Sequence, residues 1–170
     1  RDLELKSKAD NEGRFKVVIP ALGVVREPFA VKVSDSTGET ILNDCLSGLL
    51  ILAAGQSNME VPVKEALNPV EEAAAADYPM IREFKVQHDF NFTPQKTLKG
   101  EWTKVVPSTA SKIGAVGYYT ARRLHKELNG IPVGIINNSV SASPIQSWLP
   151  EEYLRSDKRF AKYFVKGCNG

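Results

Sequence analysis

Leu49-Leu50-Ile51-Leu52-Ala53-Ala54-Gly55-Gln56-Ser57-Asn58-Met59 is the stretch that decides the fold. An unbroken apolar run ends at a glycine and then at polar residues. Such a run reads as a strand buried on both faces in a parallel sheet. Ligands of open α/β sheets gather at the carboxyl ends of the strands, so the turn at Gly55 is a candidate site. Ser57 there can expose its hydroxyl and its backbone N–H together. The turn is not the G-x-S-x-G elbow of α/β-hydrolases, because its fifth position is Met59. Spacing alone favours a plainer reading, a polar turn that caps the next helix.

A second stretch has the same grammar. Ile131-Pro132-Val133-Gly134-Ile135-Ile136-Asn137 reads as another buried parallel strand. Asn138-Ser139-Val140-Ser141-Ala142-Ser143 follows, and Ser143-Pro144 supplies an N-cap and an N1 proline. Ile145 and Trp148 are expected to pack inward. Small residues let a backbone N–H approach a ligand, as an oxyanion hole requires. An ordinary strand-to-helix loop is the competing reading.

Helices are expected between these strands. Asn68-Pro69, with Glu71 and Glu72 behind it, opens a short helix that ends near Ala76. Ile81 to Val86 reads as a strand. Ala115 to Asn129 is the strongest helix, with Val116, Tyr119 or Thr120, Leu124 and Leu128 near helical spacing and Asn129-Gly130 as its stop. Residues 48–170 therefore read as α/β. Residues 1–47 read as β-rich, a part of a β-sandwich-type domain. Arg14 to Ile19, Phe29 to Ser34 and Glu39 to Asn43 are its strands, and Asp10-Asn11-Glu12-Gly13 and Asp35-Ser36-Thr37-Gly38 its turns.

Composition narrows the function classes. Of 170 residues, 25% are charged and 42% hydrophobic, the balance of a folded domain and not of a disordered chain. A net charge of +2 gives no polybasic nucleic-acid surface. No apolar run approaches the roughly 20 residues of a membrane helix. Two histidines, His88 and His125, are too few for a His-rich metal site, and no cofactor motif occurs. His125 reads as a helix-boundary residue. His88 beside Asp89 invites a dyad, yet adjacent strand residues point to opposite faces. Spacing leaves the pairing of Cys45 and Cys168 open. Asn91-Phe92-Thr93 and Asn137-Asn138-Ser139 fit the N-glycosylation pattern, Asn137 poorly because it ends a buried strand. Trp102, Tyr118, Tyr119 and Trp148 are candidates for stacking on a sugar, with the core the favoured place for Tyr119 and Trp148.

The run Leu52 to Glu60 resembles the nucleophile block of the sialate O-acetylesterase family, within the SGNH (GDSL-like) hydrolases. Gly114-Ala115-Val116-Gly117-Tyr118-Tyr119 with Ala121-Arg122-Arg123-Leu124 is similar to a helix of that family. Pro132-Val133-Gly134-Ile135-Ile136-Asn137 and Pro144-Ile145-Gln146-Ser147-Trp148 match its next blocks, and a β-domain precedes its catalytic domain too. The resemblance implies an SGNH-hydrolase-like, flavodoxin-like parallel sheet with flanking helices, here incomplete. It implies serine hydrolysis of O-acetylated carbohydrates such as sialic acids or acetylated plant-wall sugars like xylan. Ser57 would be the nucleophile and an oxyanion donor through its own N–H. Ser141 and Ala142 would provide the second donor, and Gln56 and Asn58 would position substrate. No metal or cofactor is implied. A secreted, periplasmic or lysosomal location is, although no leader is visible here.

Two departures stand out. Val140, Ser141, Ala142 and Ser143 occupy the place of the family's Trp-Gly-Gly-Thr stretch, so the freedom of glycine to take positive φ is lost. The family's Asn block and its catalytic His block have no counterpart in these residues, and a serine hydroxyl is a weak nucleophile without a base. The expected partner is thus the remaining carboxyl-terminal polypeptide of a larger esterase. A sheet left incomplete would show a bare apolar face. The alternative is a non-catalytic carbohydrate-binding or structural module on the same fold.

Overall fold

Val133–Ser139 is the hub of the structure, as its apolar run demands. The computed structural model describes residues 3–89, 91 and 93–161. Its strands are β1 (Val25–Ser34), β2 (Glu39–Ser47), β3 (Leu49–Gly55), β4 (Tyr78–Val86), β5 (Gly100–Val105) and β6 (Val133–Ser139). Its helices are α1 (Ser57–Glu60), α2 (Pro69–Ala74), α3 (Ala115–Glu127), α4 (Glu151–Ser156) and α5 (Lys158–Ala161).

β6 lies between β3 and β4 and runs parallel to both, in the order β3-β6-β4-β5. The sheet is not all-parallel, because β5 pairs antiparallel with β4. β5 was not anticipated from the sequence. β3 departs from expectation in another way. Among the described residues it is an edge strand paired only with β6, and Leu50 and Leu52 are 62% and 68% exposed. One face of the sheet is buried under α3 through Ala53, Ile81, Val133 and Ile135. Leu50, Leu52 and Trp102 stand exposed on the other.

α3 reaches the sheet through small residues. Ala115, Gly117, Tyr118 and Ala121 form its buried side, and a Cβ on Gly117 would stand 2.8 Å from Ile135 Cγ2. Val116 and Leu128, expected on the inner stripe, are exposed, while Tyr119 and Leu124 pack against the core. Close helix–sheet approach favours small side chains over large ones, which rotates the buried stripe. Asn129 (φ 55°) and Gly130 (φ 78°) close the helix, with Gly130 N–H donating to His125 O at 2.8 Å. Asn68 precedes Pro69 at the N-terminus of α2 as expected, without a side-chain cap bond.

β1 and β2 form an antiparallel hairpin around the turn at Asp35, whose carboxylate accepts from Thr37 N–H and Gly38 N–H. Arg14 to Ile19, read as a strand, is irregular. Among the described residues no neighbouring strand pairs with it, and Phe15, Val18 and Ile19 are exposed. Asp44 on β2 (φ 61°) ties the hairpin to the large sheet through Arg82 and Lys104, each at 2.8 Å.

Candidate functional site

The register of β3 and β6 brings the two candidate stretches together. Gly55 is paired with Ser139, and Val140 N–H donates to Gly55 O at 2.9 Å just beyond the last pair. Ser57 therefore starts α1 beside the loop that carries Ser141 and Ala142. Gly55 has φ 149°, and a Cβ there would lie 2.8 Å from Met59 Cγ. Only glycine lets the chain leave the strand this abruptly.

Gln56, Ser57 and Asn58 are exposed. Ser57 Oγ donates to Gln56 Oε1 at 2.6 Å. As the first residue of α1, Ser57 has no intrahelical partner for its N–H. Among the described residues neither histidine is hydrogen-bonded to Ser57. His88 Nε2 lies 3.0 Å from Ser139 O, and His125 Nδ1 lies 2.7 Å from Ile131 O. His125 is half-buried and edge-on to Tyr78, a boundary residue as expected.

The loop itself is tightly determined. Ser141 N–H donates to Glu60 Oε2 at 2.6 Å, so that amide is already engaged. Ala142, in the place of a glycine, nevertheless takes φ 60°. Its N–H makes no hydrogen bond among the described residues. Ser143 Oγ donates to Val140 O at 2.6 Å and accepts Trp148 Nε1–H at 3.0 Å. Hydrogen bonding from Ser141 holds the Glu60 carboxyl below its ordinary value. The charges of Lys85 and His88 act in the same direction, against the opposing effect of burial.

Beneath the loop lies a buried polar cluster. Glu83 Oε1 accepts from Asn137 Nδ2 at 2.7 Å and from Gly114 N–H at 2.9 Å. Asn137 Oδ1 accepts from Ser139 Oγ at 2.5 Å. Asn137 is 1% exposed and so is sealed from glycosylation. Phe92 of the other pattern, and Cys168, lie outside the described residues. Cys45 is half-buried, with Sγ 3.5 Å from Leu42 O.

A pocket of about 660 Å³ opens beside the turn, lined by Ala54, Gly55, Gln56, Ala142, Ser143, Pro144, Ile145 and Trp148. Ile145 is 68% exposed and sits in a 3-10 turn (Ile145–Trp148) instead of packing inward. Trp148 lines this pocket, a correction to its expected place in the core. Tyr118 is fully buried and Tyr119 packs against the core, while Trp102 stands on β5 against Phe84, with ring centroids 5.4 Å apart.

Sequence reasoning singled out Gln56, Ser57, Asn58, Ser141 and Ala142, and the structure sets them around one strand-end junction. It missed Glu60 and Glu83. Glu83 carried a signal, because it shares a strand face with Ile81 at period two. Among the described residues no cluster of His, Cys, Asp and Glu is arranged to hold a metal ion. No helix among them is long and apolar enough to cross a membrane.

No protein-family model matches the chain, and no curated protein matches it. Among solved structures it is similar to a carbohydrate acetylesterase from Xanthomonas citri, with 36% identity and a TM-score of 0.82. The match covers 88% of this chain and 34% of that one, so the chain spans about a third of that protein's length. The two share a fold over that span.

Proposed function

We propose that this chain carries the nucleophile portion of a carbohydrate O-acetylesterase. The observation that supports this reading most is the junction of β3 and β6. There Ser57, exposed and first in α1, and Ala142, whose N–H has no partner among the described residues, each follow a strand end that the Gly55–Ser139 pair holds together. Similarity to a carbohydrate acetylesterase supports it as well.

In this mechanism Ser57 Oγ attacks the acetyl carbonyl carbon while its proton passes to a base. The carbonyl oxygen becomes an oxyanion that accepts hydrogen bonds from Ser57 N–H and Ala142 N–H. Collapse expels the sugar hydroxylate, which takes up the proton, and leaves acetyl-Ser57. The base then takes a proton from water as its oxygen attacks the acetyl carbon; the bond from that carbon to Ser57 Oγ breaks, Oγ takes up the proton, and acetate leaves. Ser141 N–H takes no part, because Glu60 already holds it. Each aligned donor is worth about 3 kcal/mol of transition-state stabilisation. Gln56, whose Oε1 accepts from the Ser57 hydroxyl, orients that hydroxyl before reaction, and Asn58 positions the sugar. The base comes from polypeptide outside the described residues, since His88 and His125 bond to Ser139 O and Ile131 O.

The sugar ring is assigned to the pocket lined by Gly55, Gln56 and Ala142, with Trp148 as a stacking face. None of the lining residues is cationic. A sialic acid would bring a carboxylate that seeks a basic partner, so a neutral acetylated sugar of the xylan kind is the better substrate. Such polymers lie outside the cytosol, which suits a secreted or periplasmic enzyme.

Acetate release from acetylated xylo-oligosaccharide and from 9-O-acetyl sialic acid, by the protein and by its Ser57→Ala variant, tests the reading. Release from the xylan substrate that Ser57→Ala abolishes supports it. Release that persists in Ser57→Ala refutes it. A second reading is favoured by the Ser57 hydroxyl having, among the described residues, Gln56 as its one partner. In that reading the fold binds acetylated sugar without turnover, and binding without acetate release distinguishes it.

A further inference from the structure

We infer that Glu60 is a positioning residue that sets the Ala142 N–H for the oxyanion. This inference rests on the esterase reading above. Glu60 is the last residue of α1, three positions after Ser57. Its Oε2 accepts Ser141 N–H at 2.6 Å, across 81 residues of sequence. Its Oε1 lies 3.6 Å from His88 Nε2. Since a carbonyl only accepts, the 3.0 Å bond from His88 Nε2 to Ser139 O puts the proton on Nε2. His88 therefore grips the loop before Val140, and Glu60 grips it after.

The consequence falls on Ala142. Its φ of 60° is a conformation that a residue with a Cβ rarely takes. Such a conformation persists only where the surroundings over-determine it. On one side Ser141 is fixed by Glu60. On the other, Ser143 is fixed by its hydroxyl bond to Val140 O and by Trp148. Glu60 also spends the Ser141 amide, which leaves Ala142 as the loop's donor. The helix that carries the nucleophile thus holds the loop that carries the donor, and the two keep one geometry.

The test uses the whole chain, with 1H–15N spectra of the Ser141 and Ala142 amides and steady-state hydrolysis of p-nitrophenyl acetate. Glu60→Ala should move the Ser141 amide proton upfield and speed its exchange. It should shift the Ala142 resonances away from left-handed values. It should lower kcat by roughly ten- to a hundredfold with KM within about twofold, because a misplaced donor is felt in the transition state. Glu60→Gln keeps an acceptor oxygen and should restore both the Ala142 resonances and most of kcat. In the unsubstituted protein the Ser141 amide should titrate with a midpoint below the ordinary glutamate value of 4.5. That reading stands even if Glu60→Ala fails to fold. A Ser141 amide that does not titrate, or Ala142 resonances unmoved in Glu60→Ala, overturns the inference. So does a loss in kcat that Glu60→Gln does not restore. The hydrolysis assays contain added imidazole in place of the missing base; if the unsubstituted protein hydrolyses no ester even then, the esterase reading fails, and the spectra alone decide whether Glu60 holds the loop.

Discussion

Asn137 donates its side-chain amide to Glu83 across 2.7 Å, with both residues almost wholly buried. The same carboxylate oxygen takes Gly114 N–H at the start of α3. One acidic side chain thereby joins β4, β6 and α3 directly under the candidate site.

Glu83→Ala should therefore be far costlier than a surface change. It leaves the Asn137 amide and the Gly114 N–H buried without an acceptor. Each orphaned group costs about 1–3 kcal/mol, so a loss of about 3 kcal/mol is expected in urea unfolding. Glu83→Gln, which keeps an acceptor, should lose about half of that or less.

Gly114→Ala tests the same junction sterically. The added Cβ would stand 2.5 Å from Asn137 Nδ2 and 3.1 Å from Glu83 Oε1. Neither partner can yield without breaking a buried bond, so a loss of about 2 kcal/mol is expected from the overpacking. The same unfolding measurement reads it.

Ala142→Gly should act in the opposite direction. At φ 60° the alanine carries the left-handed penalty of about 1–2 kcal/mol. Glycine removes that penalty but has more backbone entropy to lose, about 0.5–1 kcal/mol. The net gain is about 0–1.5 kcal/mol, read as a rise in Tm of about 2–4 °C for each kcal/mol in a chain of this size.

The joint at Asp44 should be acid-sensitive. Bonds from Lys104 and then Arg82 hold the Asp44 carboxyl below its ordinary value of 3.8. A carboxyl with a lowered folded pKa stabilises the fold fully above the unfolded value. That contribution is lost as pH falls through the folded value. The difference in urea midpoint between the protein and Asp44→Asn should stay level from neutral pH until the ordinary value of 3.8 is approached, then shrink as pH falls on through the lower folded value. Asparagine tolerates the local φ of 61°, so backbone strain does not confuse the comparison.

What the sequence made legible was the part governed by local pattern. The continuous apolar runs at Leu49 and Val133 became neighbouring parallel strands, and the small polar residues after each met at their ends. The reading failed where pairing or packing depends on distant residues. Arg14 to Ile19 has strand-like side chains but no neighbour to pair with among the described residues. β5 alternates over only six residues and is an edge strand. The buried stripe of α3 follows Gly117 and Ala121, which a search for large apolar residues passes over. Glu60 and Ser141 meet across 81 residues, a distance at which no sequence spacing carries information.

Fluorophosphonate labelling of the intact chain, with imidazole added as base and the modified residue mapped by mass spectrometry, tests the central claim most directly. Ser57 should be modified well ahead of every other serine, and Ser57→Ala should abolish that signal without moving it elsewhere. Labelling spread evenly over the serines, or concentrated at another one, would contradict the assignment of Ser57 as the nucleophile.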